Sequence, residues 1–173
     1  MTEDVRTAFE AHDAFEYDPE GGVATGTATV FEATAQASPG EGGATFTVTV
    51  VVPTLPAAVV GEVGDAVAAG WYETFELRME DAYDVTEVAD GDLTVEREAS
   101  TVRVTYEYVT PARPGVNDGA ALIDFVEGTH VQGTIPGYDY VPPVADVLAV
   151  ARRRGQGDAV DRSPGSEPRD DSG

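Results

Sequence analysis

The sequence predicts an α+β domain in which a curved antiparallel sheet packs against helices, in the element order α-β-β-β-α-β-β-α. Residues 44–52, ATFTVTVVV, alternate apolar side chains mostly with threonine, as a strand with one buried face does. Residues 62–82 instead repeat apolar side chains at every fourth position, which is typical of a helix packed on a sheet. The 173 residues suffice for one core. We therefore expect a single domain over residues 1–154 and a disordered tail over 155–173.

The first helix is predicted at the N-terminus. Thr2 can cap it, and an apolar face follows at helical spacing, formed by Val5, Ala8, Phe9 and His12. His12 ends this face. We interpret it as a half-buried boundary histidine, because a functional role would need a partner that the sequence does not show.

Two groups of strands are predicted. The first comprises residues 14–18, a Thr/Ala/Val run at 23–37 and residues 44–52, separated by the turn signals DPEGG and SPGEGG. The apolar side of 44–52 should face the core, and its threonine side should face water or a partner. The second group is a hairpin of residues 92–98 and 101–109. Five charged side chains of this hairpin could form cross-strand ion pairs, and we interpret them as sheet surface: Glu96, Arg97, Glu98, Arg103 and Glu107.

The later helices are predicted from apolar spacing. In 62–82, Trp71 is interpreted as the residue that anchors the helix on the sheet, with ligand stacking as the alternative. The segment TPARPG should end the sheet. Residues 116–127 return to the apolar spacing of a helix, which Asn117 or Asp118 could cap. A last helix is expected to begin at Pro142, with Arg152, Arg153 and Arg154 at its negative end.

Residues 125–140, FVEGTHVQGTIPGYDY, have two interpretations. As a connection, Gly128 stops the preceding helix, THVQGTI is extended, and the chain turns at Pro136-Gly137. As a site, His130 would act as a base or ligand, oriented by Asp124, Glu127 or Asp139. The connection explains more of the residues, and its exposed side can still recognise a partner.

The composition narrows the classes of function. The chain has no Cys and no Lys, and its ten Arg stand against 32 acidic residues for a net charge of −22. Near 1 M salt the Debye length shrinks to about 3 Å and the self-repulsion of such a chain largely disappears. The carboxylates are therefore best interpreted as solvated surface, with no metal and no cofactor expected. Binding to nucleic acid is disfavoured, because it needs clustered cations.

No segment has the length and hydropathy of a membrane span, and the acidic N-terminus does not have the pattern of a signal peptide. We therefore expect a soluble cytoplasmic protein. Nor does the chain contain HExxH, GxSxG or a phosphate-binding glycine loop, so the sequence predicts no catalytic residue.

Two segments carry a resemblance to a family. The segments GxxLIDFVEGTHVQGTIPGYDYVPPV and GWYETFELRMEDA, in a lysine-free acidic chain, resemble an uncharacterised haloarchaeal family of small proteins. The predicted topology is similar to the type III secretion chaperone-like and YbjN-like domains. That resemblance implies a non-enzymatic domain that holds a client peptide and often dimerises.

Two functions are thus expected in order of preference. The first is a non-enzymatic protein-binding or adaptor domain that binds a protein or peptide partner. Such a domain could also form a homodimer. The second is a small-ligand protein or enzyme with a pocket between the sheet and the C-terminal helices. The candidate binding residues are Trp71, Tyr106, Tyr108, His130, Tyr138 and Tyr140.

The charge balance makes a prediction about salt. Below about 0.5 M salt, screening of the acidic surface fails and the domain should loosen. Near-UV circular dichroism after dialysis into dilute buffer measures this, and an unchanged spectrum would refute it.

Overall fold

The structure is a computed structural model that describes residues 2–88 and 90–150. Its elements are α1 (Thr2–Glu10), β1 (Phe15–Asp18), β2 (Val23–Gly26), β3 (Glu32–Gly40), β4 (Gly43–Pro53), α2 (Leu55–Ala58), α3 (Asp65–Met79), a 3-10 helix (Ala82–Val85), β5 (Asp92–Arg97), β6 (Thr101–Thr110) and α4 (Ala112–Gln132). Residues 144–150 are helical. The boundary expected at 154, the arginines at 152–154 and the expected disordered tail lie outside the described residues.

The six strands form one antiparallel sheet in the order β1-β2-β3-β4-β6-β5. The predicted α+β class with a sheet packed against helices is confirmed. The hairpin between β3 and β4 closes at Gly40 and Gly43, and Gly42 takes a φ of 84°, which favours glycine. The long strands β4 and β6 lie at the centre of the sheet and pair along their whole length.

One face of the sheet carries the core. On β4 the buried side chains alternate with half-buried ones, as predicted, and β6 repeats the pattern. The helices pack on this face, where α4 contacts β4 and β6 and α1 contacts β1 and β3. The buried side chains of the two central strands are Ala44, Phe46, Val48, Val50, Val52, Val102, Val104, Tyr106, Tyr108 and Thr110.

The run at 23–37 differs from its prediction as one strand. It divides into β2 and β3, which pair antiparallel with Ala24 opposite Ala35. The chain reverses at residues 27–31, where the Glu127 carboxylate accepts hydrogen bonds from the Thr29 hydroxyl and from Val30 N at 3.1 Å. An acceptor about a hundred residues away therefore holds a turn that local composition does not signal.

Helix α4 is longer at both ends than predicted. It begins at Ala112 rather than 116, because Pro114 lies in the first turn, where a proline needs no intrahelical donor. It also passes through Gly128, so the expectation that this glycine stops the helix was wrong, as was an extended conformation for residues 129–132. Thr129 and His130 are buried against the body of the protein, and this burial outweighs the weak helix preference of Gly128.

Two glycines let α4 approach the sheet closely. A Cβ atom on Gly115 would overlap the Phe46 ring, and one on Gly119 would lie 3.2 Å from the Tyr108 hydroxyl. That hydroxyl donates to the Gly115 carbonyl at 2.8 Å. The backbone of α4 thus rests directly on β4 and β6.

Asp118, expected as a helix cap, has another role. It is buried within α4, and its two carboxylate oxygens accept from Glu87 N at 2.8 Å and Val88 N at 3.0 Å. Because a buried charge needs such donors, Asp118 fixes the segment after the 3-10 helix against α4.

The charged side chains of the β5–β6 hairpin, interpreted as sheet surface, form no cross-strand ion pair within 4.0 Å among the described residues. The ion pair that the described residues do form is Arg6–Glu10, at 3.1 Å on α1. Arg97 instead lies 4.7 Å from the centroid of the Tyr72 ring. Charges on this surface therefore remain solvated rather than paired.

The glycines of α4 provide a matched pair of substitutions. Gly128→Ala should raise the free energy of unfolding by about 0.5–1 kcal/mol, because no atom lies within 4 Å of the new Cβ. Gly115→Ala should lower it by about 1–3 kcal/mol, since Phe46 must move. Urea unfolding at constant molar KCl measures both, and changes of the same sign would contradict the close packing of α4.

Candidate functional site

A groove opens between α3 and the C-terminal part of α4. It encloses about 300 Å³ and we call it the α3–α4 groove. Its lining residues are Ala66, Val67, Gly70, Trp71, Thr74, Phe75, Arg78, Thr129, Gln132, Gly133 and Ile135.

The floor of the groove is aromatic. Helix α3 turns Trp71, Phe75 and Met79 inward at i+4 spacing, and the first two line the groove. The Trp71 and Phe75 rings are stacked with centroids 5.3 Å apart. Along the rim, Gly70 has no atom within 4 Å of a Cβ position, and Val67 is 42% exposed. The groove therefore presents apolar surface beside open space.

His130 lies beneath this floor. Its side chain is 2% exposed, and its ring centroid is 5.3 Å from Trp71, 5.9 Å from Phe75 and 5.1 Å from Phe31. Nε2 lies 3.0 Å from the Pro53 carbonyl, which can only accept, so Nε2 carries the proton. Nδ1 is buried without a hydrogen-bond partner. Burial lowers the pKa of His130, which keeps the ring neutral.

The carboxylates expected to orient His130 do not bond to it. Glu127 bonds to Thr29 and Val30, as described above, and Asp124 is exposed. Asp139 is also exposed, and its backbone carbonyl accepts from Val60 N at 2.8 Å. His130 thus has the surroundings of a core residue rather than of a general base.

The groove has an unusual charge for this protein. Arg78 stands at one end, where its Nη1 donates to Gln132 Oε1 at 3.4 Å. Among the described residues, no Asp or Glu lines the groove, although the chain carries 32 of them. Four other cavities lined by described residues each include a carboxylate. The groove can accept an apolar group and, at Arg78, an anion or hydrogen-bond acceptor.

Tyr106 and Tyr108 do not join Trp71 and His130. The Tyr106 hydroxyl donates to the Met79 carbonyl at 3.2 Å, and that of Tyr108 donates to Gly115. Burial raises the pKa of both phenols, so they stay protonated. Tyr83 packs edge-on against both rings. These two candidates are part of the core between the sheet and the helices.

Tyr138 and Tyr140 hold the segment that follows α4 against the body of the protein. The Tyr140 hydroxyl accepts from Ile135 N at 2.8 Å, and Tyr140 forms an isolated antiparallel bridge with Val59. Tyr138 is half-buried against the core. The turn expected at Pro136-Gly137 is present. Tyr140 therefore does not line the groove but positions Ile135, which does.

Several residues of the groove carry no motif in the sequence that marks them as candidates. Gly70, Arg78, Gln132 and Ile135 were not among the candidates, although all line it. The signal available was the placement of Arg78 one helical turn after Thr74, on the side of α3 that carries Gly70. Gln132 and Ile135 had no such signal, because the end of α4 was expected to lie elsewhere.

No group of His, Asp and Glu side chains among the described residues is arranged to hold a metal ion. Within the same residues, no helix combines the length and hydropathy that crossing a membrane requires.

The pKa of His130 leads to a prediction about pH. In the unfolded chain the ring takes up a proton near pH 6.5, whereas in the folded chain it does so only at lower pH. The unfolded state therefore binds more protons below that pH, and the free energy of unfolding should fall by up to about 1.4 kcal/mol per pH unit between pH 7 and 5. His130→Gln should remove this slope, measured by urea unfolding at constant molar KCl.

His12→Gln is the matched control and should keep the slope, because the His12 ring is only half-buried and accepts from Ala14 N. An NMR titration of the wild-type ring gives a direct check. A His130 ring that titrates at or above pH 6.5 would contradict the burial argument.

Comparison with known proteins places the chain in a family. Residues 10–150 match a family described as "Family of unknown function (DUF5813)". No curated protein and no solved structure matches the chain significantly. The resemblance to an uncharacterised family is confirmed to that extent, while the haloarchaeal origin and the chaperone-like relationship stay predictions. Since the match covers most of its length, the chain belongs to the DUF5813 family of unknown function.

Proposed function

We propose that this protein is a non-enzymatic protein-binding domain, an adaptor that holds an apolar segment of a partner in the α3–α4 groove. The observation that carries the proposal is that the described lining of this groove contains no carboxylate, on a chain with a net charge of −22. Exposed surface that stays apolar and free of acids on such a chain is typical of a binding surface.

Catalysis is not supported by the groups that the fold places near the groove. Tyr106, Tyr108 and His130 have shifted pKa values, but each shift comes mainly from burial. None of the three lines the groove. Thr74 and Thr129 line it, but the other described lining residues include no His, Asp, Glu or Lys that could act as a general base on their hydroxyls.

The shape of the groove suits a peptide segment. Its lining on α3 runs from Ala66 to Arg78, twelve residues along the helix, which is about 18 Å at 1.5 Å per residue. A helix of three turns or an extended segment of five or six residues has this length. In that arrangement apolar side chains contact Trp71 and Phe75, and an acidic side chain of the partner reaches Arg78.

A small ligand is the alternative, supported by the volume of the groove. At about 300 Å³ it stands at the lower end of the range for ligand pockets. Its lining would favour a compact apolar carboxylate, with the apolar body on Trp71 and the anion at Arg78.

The composition indicates the salt conditions under which this binding would take place. With ten Arg, no Lys and 32 acids, the chain is suited to a salt-rich cytoplasm, where hydrophobic contacts keep their strength while surface charges are screened. An apolar groove is the kind of recognition surface that operates under those conditions.

A peptide selection in molar KCl tests the proposal. A displayed library of random peptides is selected on the wild-type chain and counter-selected on Gly70→Leu, whose side chain should fill the groove. We expect enriched peptides with paired apolar residues and an acidic one. Binding should quench or shift the fluorescence of Trp71, the chain's one tryptophan, and should weaken more than about tenfold in Gly70→Leu.

Gly128→Leu is the matched control, because Gly128 is an exposed glycine of α4 that lies outside the groove. It should bind the peptides as the wild type does, and Arg78→Gln should weaken binding by about fivefold or less. Equal binding by wild type and Gly70→Leu would contradict the proposal. If no peptide is enriched but the apolar anion anilinonaphthalene sulfonate binds the wild type and not Gly70→Leu, the small-ligand alternative is favoured.

A further inference from the structure

The face of the sheet opposite the helices carries no described element. On β4 the side chains of this open face are Thr45, Thr47, Thr49 and Val51, which alternate with the core residues. Each of the four is half-buried by its neighbours within the sheet. The two central strands therefore present side chains of the open face directly to the surroundings.

The middle of the open face is uncharged. One cross-strand row consists of five threonines on β2, β3, β4, β6 and β5, in the order Thr25, Thr34, Thr49, Thr105 and Thr94. Every open-face position of β4 is also uncharged. On a chain of net charge −22, this uncharged stripe is the part of the open face where two copies repel each other least.

The charges beside β4 have opposite signs. In the row through Val51, Glu32 lies opposite on β3 and Arg103 lies opposite on β6. Neither side chain has an ion-pair partner within 4.0 Å among the described residues. In the row through Thr47, the neighbours are Gln36 on β3 and Glu107 on β6.

We propose that two copies of the chain associate through their open faces, about a two-fold axis that runs along β4. Such an axis brings β6 of one copy over β3 of the other. Arg103 then faces the partner's Glu32, Glu107 faces the partner's Gln36, and each of these contacts occurs twice. Thr49 faces its own equivalent across the axis.

Charge distinguishes this axis from one that runs across the strands. An axis along the threonine row would place Glu96 over the partner's Asp92, because the two lie at equal distances on either side of Thr94. Like charges juxtaposed in an interface oppose association. That axis would also place Arg103 over the partner's Glu107, so both axes pair Arg103 with an acid. Only the axis along β4 avoids the contact between Glu96 and the partner's Asp92.

The area of the open face is sufficient for a stable dimer. Five strands at about 4.8 Å span about 24 Å, and eight residues at about 3.4 Å extend about 27 Å along the strands. The product is about 600 Å² per copy, or about 1,200 Å² in total, which exceeds the roughly 1,000 Å² expected of a biological interface. Both α3–α4 grooves remain exposed in this dimer, on its two outer sides.

Light scattering after size exclusion in molar KCl tests the proposal. The wild type should have about twice the monomer mass of 18.1 kDa. Thr49→Glu places two carboxylates face to face across the axis and should give the monomer. Thr7→Glu, an exposed threonine of α1 on the helical side, is the matched control and should stay dimeric.

Charge reversal tests the axis itself. Glu32→Arg and Arg103→Glu should each weaken the dimer by more than about tenfold, and the double variant should restore it to within about threefold of the wild type. A wild type that is monomeric at about 100 µM, or a double variant no better than the singles, would overturn the proposal. Circular dichroism of each variant verifies that the fold is kept. The result does not depend on whether the groove binds a peptide.

Discussion

The close approach of α4 to the sheet is the constraint on which the other contacts depend. Because Gly115 and Gly119 lack side chains, the helix backbone rests on Phe46 and beneath the Tyr108 hydroxyl. In that position Asp118 reaches the backbone donors that follow the 3-10 helix. The C-terminal part of α4 then contacts α3, where the His130 ring packs on Trp71. A helix held farther from the sheet would open both regions at once.

Most of the fold was predictable because apolar residues recur at every second position in the strands and at every fourth position in the helices. The alternation along β4 and β6 identified the buried face correctly, since burial of that face dominates the energetics of each strand. The boundaries of α4 were not predictable in the same way. Gly128 is a poor helix former on local grounds, and tertiary contacts such as those of His130 override it, whereas Pro114 is tolerated because it lies in the first turn. The β2–β3 turn likewise depends on Glu127, which no local pattern connects to it.

The candidate site was predictable only in part, where the pattern within one element fixed the direction of a side chain. Trp71 and His130 do meet, and the helix pattern had already placed Trp71 on an inward face. Tyr106 and Tyr108 were grouped with them because aromatic residues favour pockets, yet alternation along β6 directs both into the core. Arg78 was missed because an exposed arginine can be recognised as part of a site only when its neighbours across the groove are known. The sequence alone does not show those neighbours.

The order of the strands has a consequence for how the chain is made. β4 ends at Pro53 and its partner β6 begins at Thr101, 48 residues later (101 minus 53), so the two central strands cannot pair until the intervening helices have been synthesised. At about 5–20 residues per second, the outer edge of β4 stays unpaired on the ribosome for about 2–10 s. A strand edge in that condition invites pairing with other nascent chains. The threonines at alternate positions of β4 keep one face of the strand polar during that interval.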